Sequence, residues 1–260
     1  MLKSFVVALL LGALALPVQS QGLPADGSGT YRDFVPHNRA ARTPHGVQAI
    51  AGPPALIREG ARALMFDVRA GDCGGADCRE DRERVERWHR AGSRPGEAQW
   101  YAWSVRLRED FPDIQPTNVT IGQFKQEPQA CEVAALSIQD GRLVFMNKLC
   151  DANQNAVYMI DQPIMSLSQA RGRWIDLMVH TNWSAGADGF LDLYVNGQRV
   201  ASHRGRTVYN NRDRVDFRFG IYRSFVSRYE TRAGTGVPRQ VAVFDNIRRG
   251  PTRESVDIRR

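Results

Sequence analysis

Short runs of alternating apolar and polar residues, separated by turns, make up most of the chain after residue 62. A period of two is typical of a strand whose two faces meet different environments, and no long helical period follows the first 20 residues. Many half-apolar strands with almost no helix favour antiparallel sheets packed face to face. Eleven runs carry the pattern: Ala63–Arg69, Arg82–His89, Gln99–Arg108, Asn118–Gln126, Val133–Ile138, Arg142–Asn147, Trp174–Trp183, Phe190–Asn196, Gln198–Arg204, Val215–Tyr222 and Gln240–Ile247.

Two of the gaps between runs have the composition of tight hairpin turns. Asp140-Gly141 and Asn196-Gly197 each join two runs, and such pairs supply the positive φ angles that two-residue hairpins require. We therefore predict an all-β fold in which two antiparallel sheets pack against each other.

The first 20 residues differ from the rest of the chain. Lys3 is followed by an apolar run from Phe5 to Leu16, and small residues precede Ser20. This order is typical of a secretory signal peptide cleaved near Ser20, and the run is short for the alternative, an uncleaved membrane anchor. We predict a secreted or periplasmic protein with a signal peptide at 1–20, an irregular lead-in at 21–54, one domain at 55–252 and a tail at 253–260.

The chain of 260 residues has a formal net charge of +7, which falls to +6 when Lys3 leaves with the signal peptide. This excess comes almost entirely from arginine and suits an acidic partner without choosing among polyanions. Export and the lack of a recognisable binding motif disfavour nucleic acid. We therefore predict a monomer that binds neither nucleic acid nor, after signal cleavage, a membrane.

Four cysteines allow three disulfide connectivities in an exported chain. The local pairs Cys73–Cys78 and Cys131–Cys150 are favoured because each closes a short loop. A zinc site is the alternative, but no paired C-x₂-C spacing supports it.

Two runs present a mostly apolar face and a face with groups suited to chemistry. In Trp174–Trp183 and Val215–Tyr222, alternate residues are mostly apolar and belong in the core. The opposite faces of these two runs carry His180, Asn182, Arg218 and Tyr222.

The run Arg82–His89 is charged on both faces, which is costly to bury unless the charges are paired. An exposed edge strand with salt-bridged sides and a binding groove lined with arginine both explain it.

An ordered set of motifs resembles the heparin lyase I-like and glucuronan lyase-like polysaccharide lyases, over roughly residues 55–250. The set comprises Asp81–Arg87, Glu97–Ser104, Asp110–Pro112, Ile121–Gln126, Trp174–Leu177, His180, Trp183-Ser184, Tyr194–Gly197, Phe219–Arg223 and Phe244–Ile247. The resemblance implies a concanavalin-like β-jelly roll of two curved antiparallel sheets, with an acidic polysaccharide lying across the concave face. It also implies cleavage of a uronate-containing chain by β-elimination.

β-Elimination sets three tasks: the substrate carboxylate is neutralised, a base removes the neighbouring proton, and an acid protonates the departing glycosidic oxygen. The resemblance makes Tyr222 the first choice for the acid, and a candidate for the base as well. His180 is the partner base that we expect, since its pKa lies close to neutrality. Gln123 would bind the substrate carboxylate.

Relatives often carry His where this chain has Lys125. A lysine is a base only where burial or a neighbouring cation lowers its pKa, and otherwise Lys125 is a cation for the acid group of the substrate. Arg84 and Arg87 are candidate carboxylate clamps, and the resemblance to an Arg-x-Glu motif favours Arg84. Asn182 and Arg218 complete the expected substrate-binding set.

Three other interpretations remain open. A non-catalytic concanavalin-like module that binds acidic glycans shares the fold, and fold does not determine function. A retaining glycoside hydrolase would need two close carboxylates, and no Glu-x-Asp-x-x-Glu or Glu-x-Asp-x-Glu cluster occurs. A purely structural envelope protein has no positive support. No cofactor is required, although a calcium ion could take oxygen ligands from Asp245, Asn246 or the loop around Asp72 and Asp77.

Overall fold

A computed structural model describes residues 21–22, 34–129, 131–153 and 155–257. The predicted signal peptide lies outside these residues. Within them, no helix is both long enough and apolar enough to cross a bilayer.

The back sheet is the first of two antiparallel sheets and contains eight strands. Across the sheet the order is β13-β12-β11-β6-β15-β4-β3, and β1 pairs with β15. The strands are β1 (Gln21–Gly22), β3 (Val47–Ile50), β4 (Ala63–Val68), β6 (Gln99–Leu107), β11 (Trp174–Thr181), β12 (Phe190–Val195), β13 (Gln198–Arg204) and β15 (Gln240–Gly250).

The groove sheet is the second and contains seven strands in the order β10-β9-β8-β7-β14-β5-β2. Its members are β2 (Phe34–Pro36), β5 (Arg82–His89), β7 (Asn118–Gln126), β8 (Ala134–Gln139), β9 (Arg142–Cys150), β10 (Ala156–Ser166) and β14 (Val215–Ser224). Among the described residues, three short α-helices lie outside the sheets: α1 (Ala76–Arg79), α2 (Leu167–Ala170) and α3 (Val226–Ala233).

The core lies between the two sheets and is rich in aromatic rings. The ring centroids of Trp103 on β6 and Phe217 on β14 are 5.0 Å apart, and those of Phe66 and Phe219 are 5.5 Å apart. Burial of each such side chain stabilises the fold by roughly 1.5–3 kcal/mol. The alternate residues of these strands face away from the core, so each sheet also has a polar outer face.

Each of the eleven alternating runs corresponds to one strand, which confirms the all-β prediction. Both hairpin predictions are also confirmed: Asp140, Gly141, Asn196 and Gly197 have φ angles of 46°, 66°, 48° and 79°. The alternation did not indicate β10, an edge strand that contains Pro163 and has a single buried residue, Ile160. Residues 34–50 of the predicted lead-in supply β2 and β3, each of which lies at one edge of its sheet.

Both predicted disulfides are present. Cys73–Cys78 closes the loop before α1, and Cys131–Cys150 joins the segment after β7 to the end of β9. No described cysteine is free, so the zinc alternative has no thiolate to use.

Candidate active site

A groove of about 950 Å³ lies on the outer face of the groove sheet. It crosses β5, β14 and β7, and the Cys73–Cys78 loop forms part of one wall. Its lining includes side chains able to bind or react with an anionic substrate, among them His37, Arg84, Gln123, Lys125, Arg218 and Tyr222.

Strand register brings these side chains together from distant parts of the sequence. Tyr222 on β14 lies opposite Arg84 on β5 and Thr120 on β7. Arg218, four residues earlier on β14, lies opposite Gln123. Because residues paired across a sheet point to the same side, these side chains share the groove face.

A β-bulge in β7 changes which of its side chains face the groove. The pairing with β8 shifts between Thr120 and Gly122, and Ile121 and Gly122 both turn towards the core. Thr120 and Gln123 can therefore both face the groove although they are three positions apart, which simple alternation forbids. Gln123 and Lys125 therefore face the groove, although simple alternation along β7 would place them on the same face as the core residues Val119 and Ile121.

Glu86 organises the floor of the groove. Its side chain is fully buried (0% exposed) and accepts hydrogen bonds from Gln123 Nε2 at 2.7 Å and Arg84 Nη1 at 3.3 Å. Its neighbour across the sheet is Gly220, which contributes no side chain. Glu86 therefore fixes the Gln123 amide and the Arg84 guanidinium beneath an open space. The sequence analysis did not assign Glu86 a role, although the Arg-x-Glu motif contains it.

Tyr222 and Arg84 form a stacked pair. The guanidinium carbon of Arg84 lies 4.3 Å from the centroid of the Tyr222 ring, and Arg84 Nη2 donates to Asp77 Oδ1 at 2.6 Å. Burial raises the pKa of Tyr222, while the charge of Arg84 opposes this shift. The phenol therefore keeps its proton at neutral pH, as a general acid must.

Burial lowers the pKa of Lys125, and the neighbouring carboxylates of Glu127 and Glu132 oppose that shift. Lys125 lies opposite Asp216 on β14, where Arg218 forms a two-point ion pair with Asp216 at 2.8 and 2.9 Å. The lowered pKa increases the fraction of Lys125 that is neutral and able to accept a proton.

His37 is a groove residue that the sequence analysis missed. Its backbone N–H donates to Glu86 O at 2.9 Å, and its ring packs edge-on against Trp88 at 5.3 Å. Burial, with the charges of Arg218 and Arg84, lowers its pKa to about 3. The imidazole is therefore neutral at physiological pH. It follows β2 in a segment without clear alternation, so no sequence signal identified it.

We expect His37 to make the fold sensitive to acid. The pKa of a histidine in the unfolded chain is about 6.5, so between pH 6.5 and 3 the unfolded state binds a proton that the folded state does not. Stability is lost as the pH falls through this window. Between pH 7.5 and 5 the wild type should lose on the order of 2 kcal/mol more unfolding free energy than His37→Gln. Urea unfolding at both pH values measures the difference, and equal losses would contradict the assignment.

The amino-acid sequence matches a known protein family. The profile of the family described as polysaccharide lyase matches residues 50–248, more than half of the chain. The chain belongs to the polysaccharide lyase family. No curated protein sequence matches it.

Solved structures show the same fold. The endo-β-1,4-glucuronan lyase of the fungus Trichoderma reesei is 20% identical, with a TM-score of 0.64 over 85% of this chain and 92% of that one. An alginate lyase of polysaccharide lyase family 7 is 14% identical, with a TM-score of 0.50 over 72% and 77%. The catalytic domain of a glycoside hydrolase family 131 protein from Coprinopsis cinerea is 12% identical, with a TM-score of 0.52 over 82% and 80%. Such identities establish the jelly-roll fold alone, because one fold hosts several activities.

His180 and Asn182 lie far from the groove of this family member. His180 is on β11 of the back sheet and faces outward, stacked on Trp100 with 4.1 Å between ring centroids. Asn182 bonds to the backbone of Asp188 and Phe190. Both sheets and the core separate His180 from Tyr222, so the structure does not bring together the expected acid and base. Alternation showed which residues face outward but not that β11 and β14 belong to different sheets.

The two candidate arginine clamps of β5 have different positions. Arg84 lines the groove, whereas Arg87 lies on the alternate face and donates to Phe34 O at 2.5 Å. Arg218 also lines the groove, and like Arg84 it is paired with two carboxylates, here Asp216 and Glu127. Arg84 is the clamp that its contact with Tyr222 favours. Only the face of β5 that carries Arg84 lines the groove, and β5 is not an exposed edge strand, since it lies between β14 and β2.

The carboxylates considered for calcium already accept hydrogen bonds from protein groups. Asp245 accepts from the backbone N–H groups of Arg58, Glu59 and Asn246 at 2.7–3.0 Å. Asp72 contacts His45 and the backbone N–H of Arg69. Among the described residues no cluster of three or more metal-ligating side chains occurs, and the calcium ion stays a prediction.

Proposed function

We propose that this protein is a secreted polysaccharide lyase that cleaves a uronate-containing acidic polysaccharide by β-elimination. One observation carries the proposal: a half-buried phenol, an oriented amide, a half-buried lysine and a guanidinium line a single groove of a polysaccharide lyase-family jelly roll. These groups match the three tasks of the reaction. The predicted signal peptide and the two disulfides support export.

Recognition of the substrate carboxylate falls to Gln123 and Arg84. Glu86 orients both groups, so they meet the carboxylate without a rearrangement of their own. Their N–H groups stabilise the negative charge that builds up on the carboxylate as the neighbouring C–H bond breaks. Arg218, which Asp216 and Glu127 hold in place, adds a second guanidinium on the same face of the sheet.

Lys125 and Tyr222 perform the proton transfers. The Lys125 amine removes the proton from the carbon next to the carboxylate. The released electron pair forms the carbon–carbon double bond and expels the glycosidic oxygen, which takes the phenolic proton of Tyr222. Proton transfer from the lysine to the phenolate, through solvent, restores both groups. The burial that raises the pKa of Tyr222 and lowers that of Lys125 favours these starting protonation states.

The pH dependence of kcat/KM tests the role of Lys125. Because kcat/KM reports the groups of the free enzyme, its value should rise with pH and level off above the lowered pKa of Lys125. Lys125→His should move this rise towards pH 6.5, the ordinary histidine pKa. A profile that is flat between pH 6 and 9 in both proteins would exclude Lys125 and point to His37, which is neutral throughout that range.

A panel of uronate polymers tests the reaction itself. The purified mature protein is mixed with glucuronan, alginate, polygalacturonate, hyaluronan or heparin, and ultraviolet absorbance is followed, since elimination creates an absorbing unsaturated uronate. A rise in absorbance on one polymer supports the lyase. Retention on a polymer affinity gel without any rise in absorbance would instead favour the alternative, a non-catalytic carbohydrate-binding module.

A further inference from the structure

The groove does not end at Tyr222. A second hollow of about 300 Å³, here called the side arm, continues on the other side of this residue towards β8, β9 and β10. Tyr222, Arg82 and Glu132 line both spaces. A chain positioned for cleavage at Tyr222 would therefore extend into the side arm.

Two exposed aromatic side chains line the side arm. Tyr158 on β10 is 47% exposed and Phe225, which follows β14, is 40% exposed. Among the described residues, only Val157 and Val200 are other large hydrophobic side chains with comparable exposure. Aromatic rings left open to solvent in a concave surface are typical of binding sites, because they offer a large apolar area at small entropic cost.

The backbone at Phe225 is held in a conformation that a bulky residue rarely adopts. Its φ of 62° is left-handed, and so is that of Asp81 at 58°. The two residues are joined: Phe225 N–H donates to Asp81 O at 2.9 Å, and the Asp81 carboxylate accepts from Ser227 N–H and Oγ at 2.9 and 2.7 Å. Glycine would adopt this φ without strain, so the position of the aromatic ring is maintained against a conformational cost.

A cationic side chain lies close to each of the two aromatic rings, Phe225 and Tyr158. The Arg228 guanidinium lies 3.9 Å from the centroid of Phe225, and the Lys148 amine lies 6.0 Å from that of Tyr158. Lys148 pairs with Glu132 at 2.8 Å, whereas Arg228 has no acidic partner among the residues that the structure describes. An aromatic ring beside an unpaired guanidinium suits a sugar that has an apolar ring face and a carboxylate.

We propose that the side arm is a subsite that binds uronosyl residues of the polymer: Phe225, which follows β14, and Tyr158, on the well-separated strand β10, contact successive pyranose rings, and Arg228, which lies beside the Phe225 ring and outside the lining of the hollow, binds a carboxylate. This inference rests on the proposed function, because it requires the groove to hold a uronate polymer. It predicts that the substrate is held on both sides of Tyr222. Phe225, Tyr158 and Arg228 act on binding alone and take no part in the proton transfers.

Phe225→Gly tests the subsite, because it removes the aromatic ring and also removes the strain of a bulky residue at a left-handed φ. We expect its melting temperature to equal or exceed that of the wild type. Dissociation constants are measured in the Tyr222→Phe background, with the polymer that binds most tightly in the panel, so that cleavage does not interfere. Phe225→Gly and Tyr158→Ala should each weaken binding by on the order of 10-fold. Arg228→Gln should weaken binding and reduce its salt dependence.

Val200→Ala is the matched control, since Val200 is exposed to a similar extent on β13 of the back sheet. It should leave the dissociation constant unchanged. Unchanged binding in folded Phe225→Gly and Tyr158→Ala would overturn the subsite and leave the lyase proposal intact. Polymer binding without cleavage by the wild type, weakened by both variants, would support the subsite and overturn the lyase. Failure of the wild type to bind any polymer would overturn both.

Discussion

Tyr222→Phe should reduce kcat by about 10²–10⁴-fold, the usual contribution of a positioned general acid. The substitution removes only the hydroxyl, and no hydrogen bond to that hydroxyl occurs among the described residues. The ring should keep its contact with Arg84, which lies 4.3 Å from the ring centroid. The melting temperature and the polymer dissociation constant should therefore stay close to those of the wild type.

Tyr194→Phe is the matched control for this variant. Tyr194 is a half-buried tyrosine on β12 of the back sheet, where it packs near Trp100. Initial rates of formation of unsaturated product, measured at saturating polymer, should be unchanged by this substitution. A Tyr222→Phe protein that retains more than a tenth of wild-type kcat would remove Tyr222 from the role of acid.

Of the substitutions proposed, Gly220→Ala should lower the free energy of unfolding the most. Gly220 has a φ of 136°, and a Cβ there would lie 2.2 Å from Val85 O and 2.8 Å from Glu86 Cα. Those contacts are with the backbone of β5, which cannot move without breaking its pairing with β14. We expect a loss of at least about 3 kcal/mol in the free energy of unfolding, measured with urea.

Gly236→Ala provides the comparison. A Cβ at Gly236 meets no atom within 4 Å and its φ is not positive, so the substitution should be neutral or stabilising by up to about 1 kcal/mol. If Gly220→Ala were as stable as Gly236→Ala, the close packing of β14 against β5 would be wrong, and with it the floor of the groove.

The paired charges of the groove explain how a strand as charged as β5 can lie in the middle of a sheet. Arg84 bonds to Asp77 and Glu86, and Arg218 bonds to Asp216 and Glu127. Each guanidinium is thus fixed by two carboxylates rather than free to move. A substrate carboxylate then meets donors that are already oriented.

Local pattern was sufficient to predict much of the fold. Period-two alternation gave the eleven strands, turn chemistry gave both hairpins, and short loop closure gave both disulfides. Alternation is a property of one strand at a time, so it could not assign β11 and β14 to different sheets. The expectation that His180 would meet Tyr222 failed for that reason.

The other missed features depend on contacts between distant segments. His37 enters the groove only because β2 pairs with β5, and this pairing joins residues about 50 positions apart. Glu86 becomes the floor of the groove only because Gly220 lies opposite. Neither relationship leaves a trace in the residues adjacent to His37 or Glu86 in the sequence.

The masses of the reaction products test the central claim most directly. Wild-type protein is incubated with glucuronan and with alginate, and the oligosaccharides are analysed by mass spectrometry. β-Elimination predicts that each new non-reducing end carries an unsaturated uronate, so its oligosaccharide is one water lighter than the product of hydrolysis. Fragments with the full hydrolytic mass would contradict the account and indicate a glycoside hydrolase. Intact polymer that remains bound to the protein would contradict it in favour of a binding module.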